Sequence, residues 1–223
     1  MGDYNWRFGP VFDNLPTLGM GMLYNAWLAI LAIAIGFAIG LIIGLGRYSR
    51  NPLARWPATA FVEVFRNTPV LVQIFWFFFA FPIISPIQVS PFIAALLGLS
   101  LNTGAFSAEI FRGGIQSIAK GQWEAGKALG MSYYEQLRII ILPQAIKRMV
   151  PALTNRGIEV FKMTTLASAV AFSEILYRGK LLAFNSFNPI ETYTIIALIF
   201  FSIVYPLTRV VQRFEIQQKQ GER

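Results

Sequence analysis

The sequence predicts an all-α integral membrane protein. Five transmembrane helices run with the N-terminus outside and the C-terminus inside, and a short two-helix loop lies on the cytoplasmic side. Three observations lead there. Only 13% of the 223 residues are charged and 55% are hydrophobic, against about 25% charged in an ordinary soluble domain. Leu18 to Leu45 carries no charge and exceeds the roughly 20 residues that cross a hydrocarbon core. The remaining apolar stretches alternate with loops that carry most of the Lys and Arg, the bias that sets orientation. One domain, residues 1–223, accounts for the chain, and no tandem repeat or low-complexity tract interrupts it.

Each element follows in order. Residues 1–17 are polar and aromatic, with Asp3, Trp6, Arg7 and Asp13. They lack the basic start and small-residue cleavage site of a secretory signal, so the first span, 18–45, is read as uncleaved. Gly36, Gly40 and Gly44 recur every fourth residue, a pattern that lets helix backbones approach closely. Packing within the subunit is preferred over a dimer contact. Arg47, Arg50 and Arg55 follow without an acid and belong inside. The second span, 58–81, contains Glu63, Arg66, Asn67 and Thr68 before Pro69. Proline disfavours helix in the residue before it, so a kink is expected near Thr68. This cluster reads as a hinge with an internal Glu63–Arg66 ion pair, or as a constriction that opens when subunits rotate.

The uncharged turn from Pro82 to Pro91 suits the outside, and the third span, 92–112, ends in a Glu109–Arg112 pair. The loop 120–143 carries Lys120, Lys127 and Arg138, with Lys147 and Arg148 just beyond, and lies inside. The fourth span is 149–172. Arg178 and Lys180 fall in the following external loop, a mild exception to the charge rule. The fifth span is 190–207, and Arg209, Arg213, Lys219 and Arg223 close the chain inside.

The loop is the longest polar-rich island, and its punctuation describes a corner between two short helices. Gly130 can take the left-handed conformation that ends the first. Ser132 reads as the N-cap of the second, with Glu135 completing a capping box. Tyr134, Leu137 and Ile141 give that second helix one apolar face, and Pro143 is expected to close it. A corner of this kind suits docking better than chemistry.

Glu124-Ala125-Gly126, then Gly130, Ile140, Leu142 and Pro143, resemble the EAA loop of bacterial ABC importer permeases. The family usually has a second alanine where this chain has Gly126. The blocks Glu63–Pro69, Ala108–Ser117 and Lys120–Glu124 resemble the polar amino acid branch, and the likeness runs over most of the chain. The resemblance implies that Glu124, Ala125, Gly126, Gly130, Ser132, Leu142 and Pro143 form the loop that docks an ATP-hydrolysing subunit. It implies further partners: a dimer of that ATPase, a second permease subunit (itself or a homologue), an extracytoplasmic amino-acid-binding protein and membrane lipid. The place it implies is the bacterial cytoplasmic membrane. ATP and Mg would sit on the partner ATPase, with no cofactor on this chain. Overall likeness tilts the substrate toward glutamate or aspartate, with basic or amide amino acids as alternatives.

The residues themselves exclude much. There is no Cys and no His, which removes thiol chemistry, disulfides and the commonest metal ligand and general base. Gly126-Lys127-Ala128 lacks the upstream glycine and the hydroxyl of a phosphate-binding loop. The net charge of +8 is accounted for by basic cytoplasmic loops, without a nucleic acid partner. Ionisable groups within spans are expensive and therefore functional candidates. In the fourth span Asn155, Arg156, Glu159, Lys162 and Thr165 recur at helical spacing. They read as a mutually neutralising ladder or as the lining of a water-accessible path, and the two are compatible. Two functions remain: permease of an ATP-driven importer, or an ion-gradient-driven secondary transporter or channel. Secondary transporters often carry internal repeats in one longer chain, and none occurs here.

Overall fold

The computed structural model describes residues 4–49 and 51–221, with backbone alone from residue 214. Asp3, Arg50, Arg223 and the Lys219 side chain, used above in reading the ends and loops, lie outside the described residues. Among those described there is no strand. The helices are α1 Gly9–Asp13, α2 Leu15–Tyr48, α3 Pro52–Asn67, α4 Val70–Ile84, α5 Pro91–Gln116, α6 Lys120–Ala128, α7 Tyr133–Val170, α8 Ile175–Ser186 and α9 Pro189–Gly221. Three stretches, Leu15–Tyr48, Pro91–Gln116 and Pro189–Arg213, are each long and apolar enough to cross a membrane. The pairs α3 with α4 and α7 with α8 qualify only when each is taken together, which gives three spans or up to five.

Three sequence expectations change. The second span is broken, not kinked: Thr68 is fully extended at φ −101° and ψ 129°, because the ring of Pro69 excludes helix there. Pro143 does not close a helix. The turn before it, Gln136–Ile141, is π-type, and Pro143 then enters in the first turn of the segment Leu142–Met163. The wider π turn leaves room for the proline ring, which in a regular α-helix would clash with the carbonyl four residues back. One rod therefore runs from the corner into the fourth span. The stretch holding Arg178 and Lys180 is the helix α8, started by Glu174, whose carboxylate accepts from Leu176 and Tyr177 N–H at 3.0 and 2.7 Å.

The chain forms two compact units. The first comprises Met1–Ile33, Val70–Leu99 and Ile158–Arg209. Leu28, Ile74, Leu99, Val160 and Ala167 are buried together in it, and Val11, Leu18, Ile175 and Ile196 make a second cluster. Buried Asn25 ties this unit across its helices. It donates to Thr164 Oγ1 and Glu174 Oε2 and accepts from Ile175 N–H. Near the chain start, Tyr4 hydroxyl and Arg7 N–H donate to Glu191 at 2.7 and 2.8 Å.

The second unit comprises Ala34–Pro69, Ser100–Gly157 and Val210–Arg223. Here the glycine stripe of α2 packs on α5, within the subunit. A β-carbon at Gly36 or Gly40 would lie 2.6 Å from that of Thr103 or Ser107 respectively. Small residues face each other, so the backbones gain dispersion contacts that larger side chains would forbid. Ile115, Ile118, Ile141, Ala145 and Met149 form the apolar core under the corner.

Candidate functional site

The corner is built as its sequence requires. Gly130 has φ +73°, a value that costs other L-residues about 1–2 kcal/mol. Met131 N–H reaches Gly126 carbonyl at 3.1 Å and Gly130 N–H reaches Lys127 carbonyl at 3.0 Å, the paired bonds of a Schellman stop. Ser132 then caps α7. Its hydroxyl accepts from Glu135 N–H at 3.4 Å, while the Glu135 carboxylate accepts from Ser132 N–H at 2.8 Å. The Ser132 hydroxyl also donates to that carboxylate, and these bonds hold the Glu135 carboxyl below the usual range. Trp123 stacks on Tyr133 at 5.6 Å across the bend.

Gly126 is buried, and a β-carbon there would meet Gln136 Cγ at 2.8 Å. Gln136 in turn donates to Met131 carbonyl at 2.8 Å. The departure from alanine thus makes room for a bracing glutamine. Glu124, Ala125 and Pro143 are exposed and Leu142 is half-buried. Tyr134 does not join the apolar face. It is 67% exposed, as are Leu129 at 78% and Ile139 at 63%, whereas Leu137 and Ile141 pack inward. The corner therefore leaves apolar side chains exposed on a polar island.

The end of α3 forms a second polar centre. Glu63 does not pair with Arg66: its carboxylate accepts from Asn67 at 3.0 Å. Arg66 instead reaches Glu109 on α5 at 3.3 Å, joined there by Arg47 and by Arg112, the latter at 2.7 Å. The predicted Glu109–Arg112 pair is thus the core of a four-residue cluster. The break is closed by side chains. Glu63 carbonyl accepts from Asn67 and Val64 carbonyl from Thr68 hydroxyl, while Phe65 carbonyl accepts from Asn102 of α5 at 2.8 Å.

On α7 the predicted polar face divides. Arg156 is buried, donates to Asn102 Oδ1 at 2.6 Å and lies over the Phe106 ring at 4.3 Å. Asn155, Glu159 and Lys162 are exposed and Thr165 is half-buried. Lys162 and Thr165 line an open groove of about 520 Å³ with Phe200, Phe201 and Tyr205. Sequence reasoning passed over Asn102, Asn25 and Glu174. An uncharged amide inside an apolar span was the available signal for the first two.

Residues 36–216 match the family described as binding-protein-dependent transport system inner membrane component. A probable amino-acid ABC transporter permease of Bacillus subtilis, YckA, is 38% identical over 201 residues, 90% of this chain and 88% of that one. The glutamine transport system permease GlnP of Escherichia coli is 34% identical over 217 residues, 97% of this chain and 98% of its own. A crystal structure described as an amino acid ABC transporter with histidines superposes with a TM-score of 0.91 at 30% identity, covering 96% of this chain and all of that one.

Proposed function

Because this chain belongs to the family of binding-protein-dependent transport system inner membrane components, we propose that it is the membrane subunit of an ATP-driven amino acid importer. It forms part of the translocation path and hydrolyses nothing itself. The observation that carries the reading is the corner at Gly130: a capped, exposed, partly apolar bend that leads into the helix of the fourth span. Such a bend receives a partner's push and passes it on. The ATPase docks there, on Glu124, Ala125 and the apolar residues around Gly130. Five spans with the N-terminus outside follow from the basic loops and from counting each broken pair as one crossing.

One subunit of this size has little room to enclose a solvated amino acid, so two permease copies meet around it. The exposed Asn155, Glu159 and Lys162 with Thr165 line the path, where water reduces the cost of their charges. Glu63, Arg66, Asn67 and Thr68 stand at its constriction. An extracytoplasmic binding protein delivers the substrate. Both compared relatives have amino acid names and GlnP is named for glutamine, so a neutral amide amino acid is the first candidate. Neither name supports glutamate or aspartate.

Vesicles holding this chain with its ATPase and binding protein should accumulate a labelled amino acid only when ATP is supplied. Competition with a panel of amino acids then ranks the substrates. Accumulation by the chain alone down an ion gradient would establish the secondary transporter instead.

A further inference from the structure

A helix end leaves its last carbonyls without helical donors, and the one whose donor would have come from residue 69 leads to the corner. In an α-helix the N–H of residue 69 would bond the carbonyl of residue 65. Pro69 has no N–H. Phe65 carbonyl instead takes the side-chain amide of Asn102 at 2.8 Å, and the Oδ1 of the same amide accepts from Arg156 at 2.6 Å. Arg156 stands on α7, the rod that begins at the corner. Its guanidinium lies 4.3 Å over the Phe106 ring, and Arg66, next to Phe65, lies 5.6 Å from the same ring. Asn102, Phe106 and Glu109 are spaced four and three apart on α5, one stripe of a helix. All three engage the end of α3, and the first two also hold Arg156.

We propose that Asn102 and Arg156 are positioning residues for transport, joining the last turn of α3 to α7 so that displacement of the corner moves the Thr68–Pro69 break. The joint is built for this. Asn102 and Arg156 are both buried, at 4% and 6% exposure, so water offers little substitute for a broken bond. The amide donates to the carbonyl through its NH2 and accepts from the guanidinium through its oxygen at once. Aspartate would keep the arginine and lose the carbonyl; leucine would lose both. The transport consequence rests on the importer reading above, whereas the joint itself does not.

The test uses the natural absence of cysteine. Val64→Cys on α3 and Thr154→Cys on α7, both at exposed positions, carry spin labels in the full complex with its ATPase and binding protein. Their distance should be narrowly distributed with and without ATP and vanadate. Asn102→Ala should broaden it in both conditions. Asn102→Asp, which keeps the side-chain volume and the Arg156 bond, should broaden it in complexes that still assemble. Uptake per ATP hydrolysed should fall about tenfold, a usual size for coupling between sites. Arg156→Gln should fall by the same amount, and the double variant no further, as for residues acting through one contact. Arg156→Lys, which keeps one donor, should recover part of the loss.

An unchanged distance in Asn102→Ala and Asn102→Asp overturns the joint, and losses that multiply in the double variant overturn the shared route. If the distances broaden as stated while the unsubstituted complex takes up no amino acid, the importer reading fails and the joint stands.

Discussion

Two of the helix stops in the second unit, at Gly130 and at Pro69, find partners for their carbonyls in different places. At Gly130 every partner lies close in sequence: Met131 and Gly130 N–H close the end of α6, and Ser132 and Glu135 open α7. At Pro69 two carbonyls are closed locally by Asn67 and Thr68, but the third accepts from Asn102, which in turn accepts from Arg156. A stop that satisfies itself keeps its shape when its surroundings move. A stop that borrows a donor from another helix follows that helix. The corner is thus suited to transmit a displacement without deforming, and the break to respond to one.

The largest expected effect falls on the borrowed stop. Glu109→Gln removes the only carboxylate among Arg47, Arg66 and Arg112 in their recorded cluster. Leaving three cations of a partly buried cluster without their carboxylate costs about 2 kcal/mol, less than for a fully buried pair, read as a lower thermal midpoint of the purified subunit. Asn102→Ala comes next at about 1–2 kcal/mol, for the loss of its hydrogen bonds to Phe65 carbonyl and from Arg156. Unchanged midpoints in both variants would mean that the Pro69 end is held by its local caps after all, and the contrast with Gly130 would vanish.

Gly130→Val is smaller in stability and larger in consequence for docking. A β-branched residue at φ +73° costs about 1–2 kcal/mol and re-aims Leu129 and Tyr133. Membrane insertion should persist while co-purification of the ATPase is lost. Full recovery of the ATPase with this variant would show that the corner is not the dock. Ser132→Ala should cost about 1 kcal/mol, the usual value of an N-cap, with the loss confined to faster amide exchange in the first turn of α7.

The same contrast explains what the sequence could reveal. The corner was legible because Gly130, Ser132 and Glu135 interact across a few residues, where spacing and geometry are nearly one thing. The place of the break was legible too, since Pro69 restricts Thr68 whatever surrounds it. The glycine stripe announced close packing, and α5 supplied the small partners. Tertiary choices were hidden. Spacing offered Arg66 the carboxylate of Glu63, but Asn67 occupies that group and Glu109 of α5 receives the arginine. Spacing gave no sign that Arg156 is buried against Asn102 and Phe106 of α5. Pro143 was read as a stop because the π-type turn that accommodates it leaves no mark in composition. Arg178 and Lys180 suggested a loop because Glu174, the cap that starts α8, is buried and bonded to Asn25, far away in sequence.

The smallest effect is a titration at the corner, and its sign follows from the capping box. The Ser132 hydroxyl and N–H hold the folded Glu135 carboxyl below its ordinary value, with no comparable donors in the unfolded chain. A group whose pKa is depressed by folding adds stability above its unfolded pKa and loses it as pH falls through the folded one. The contribution is therefore complete at neutral pH, begins to fall near the ordinary carboxylate pKa of about 4.3, and disappears below it. Amide exchange at Ser132 and Glu135, corrected for its intrinsic pH dependence, should lose protection over that acidic window. Glu135→Gln should be less protected at neutral pH and flat across the window, because its neutral amide still accepts from the serine but does not titrate. The Asn102 contact should give no such titration in either protein, since neither its amide nor the Phe65 carbonyl ionises. Equal acid sensitivity at both stops would assign the loss to general unfolding and not to the cap.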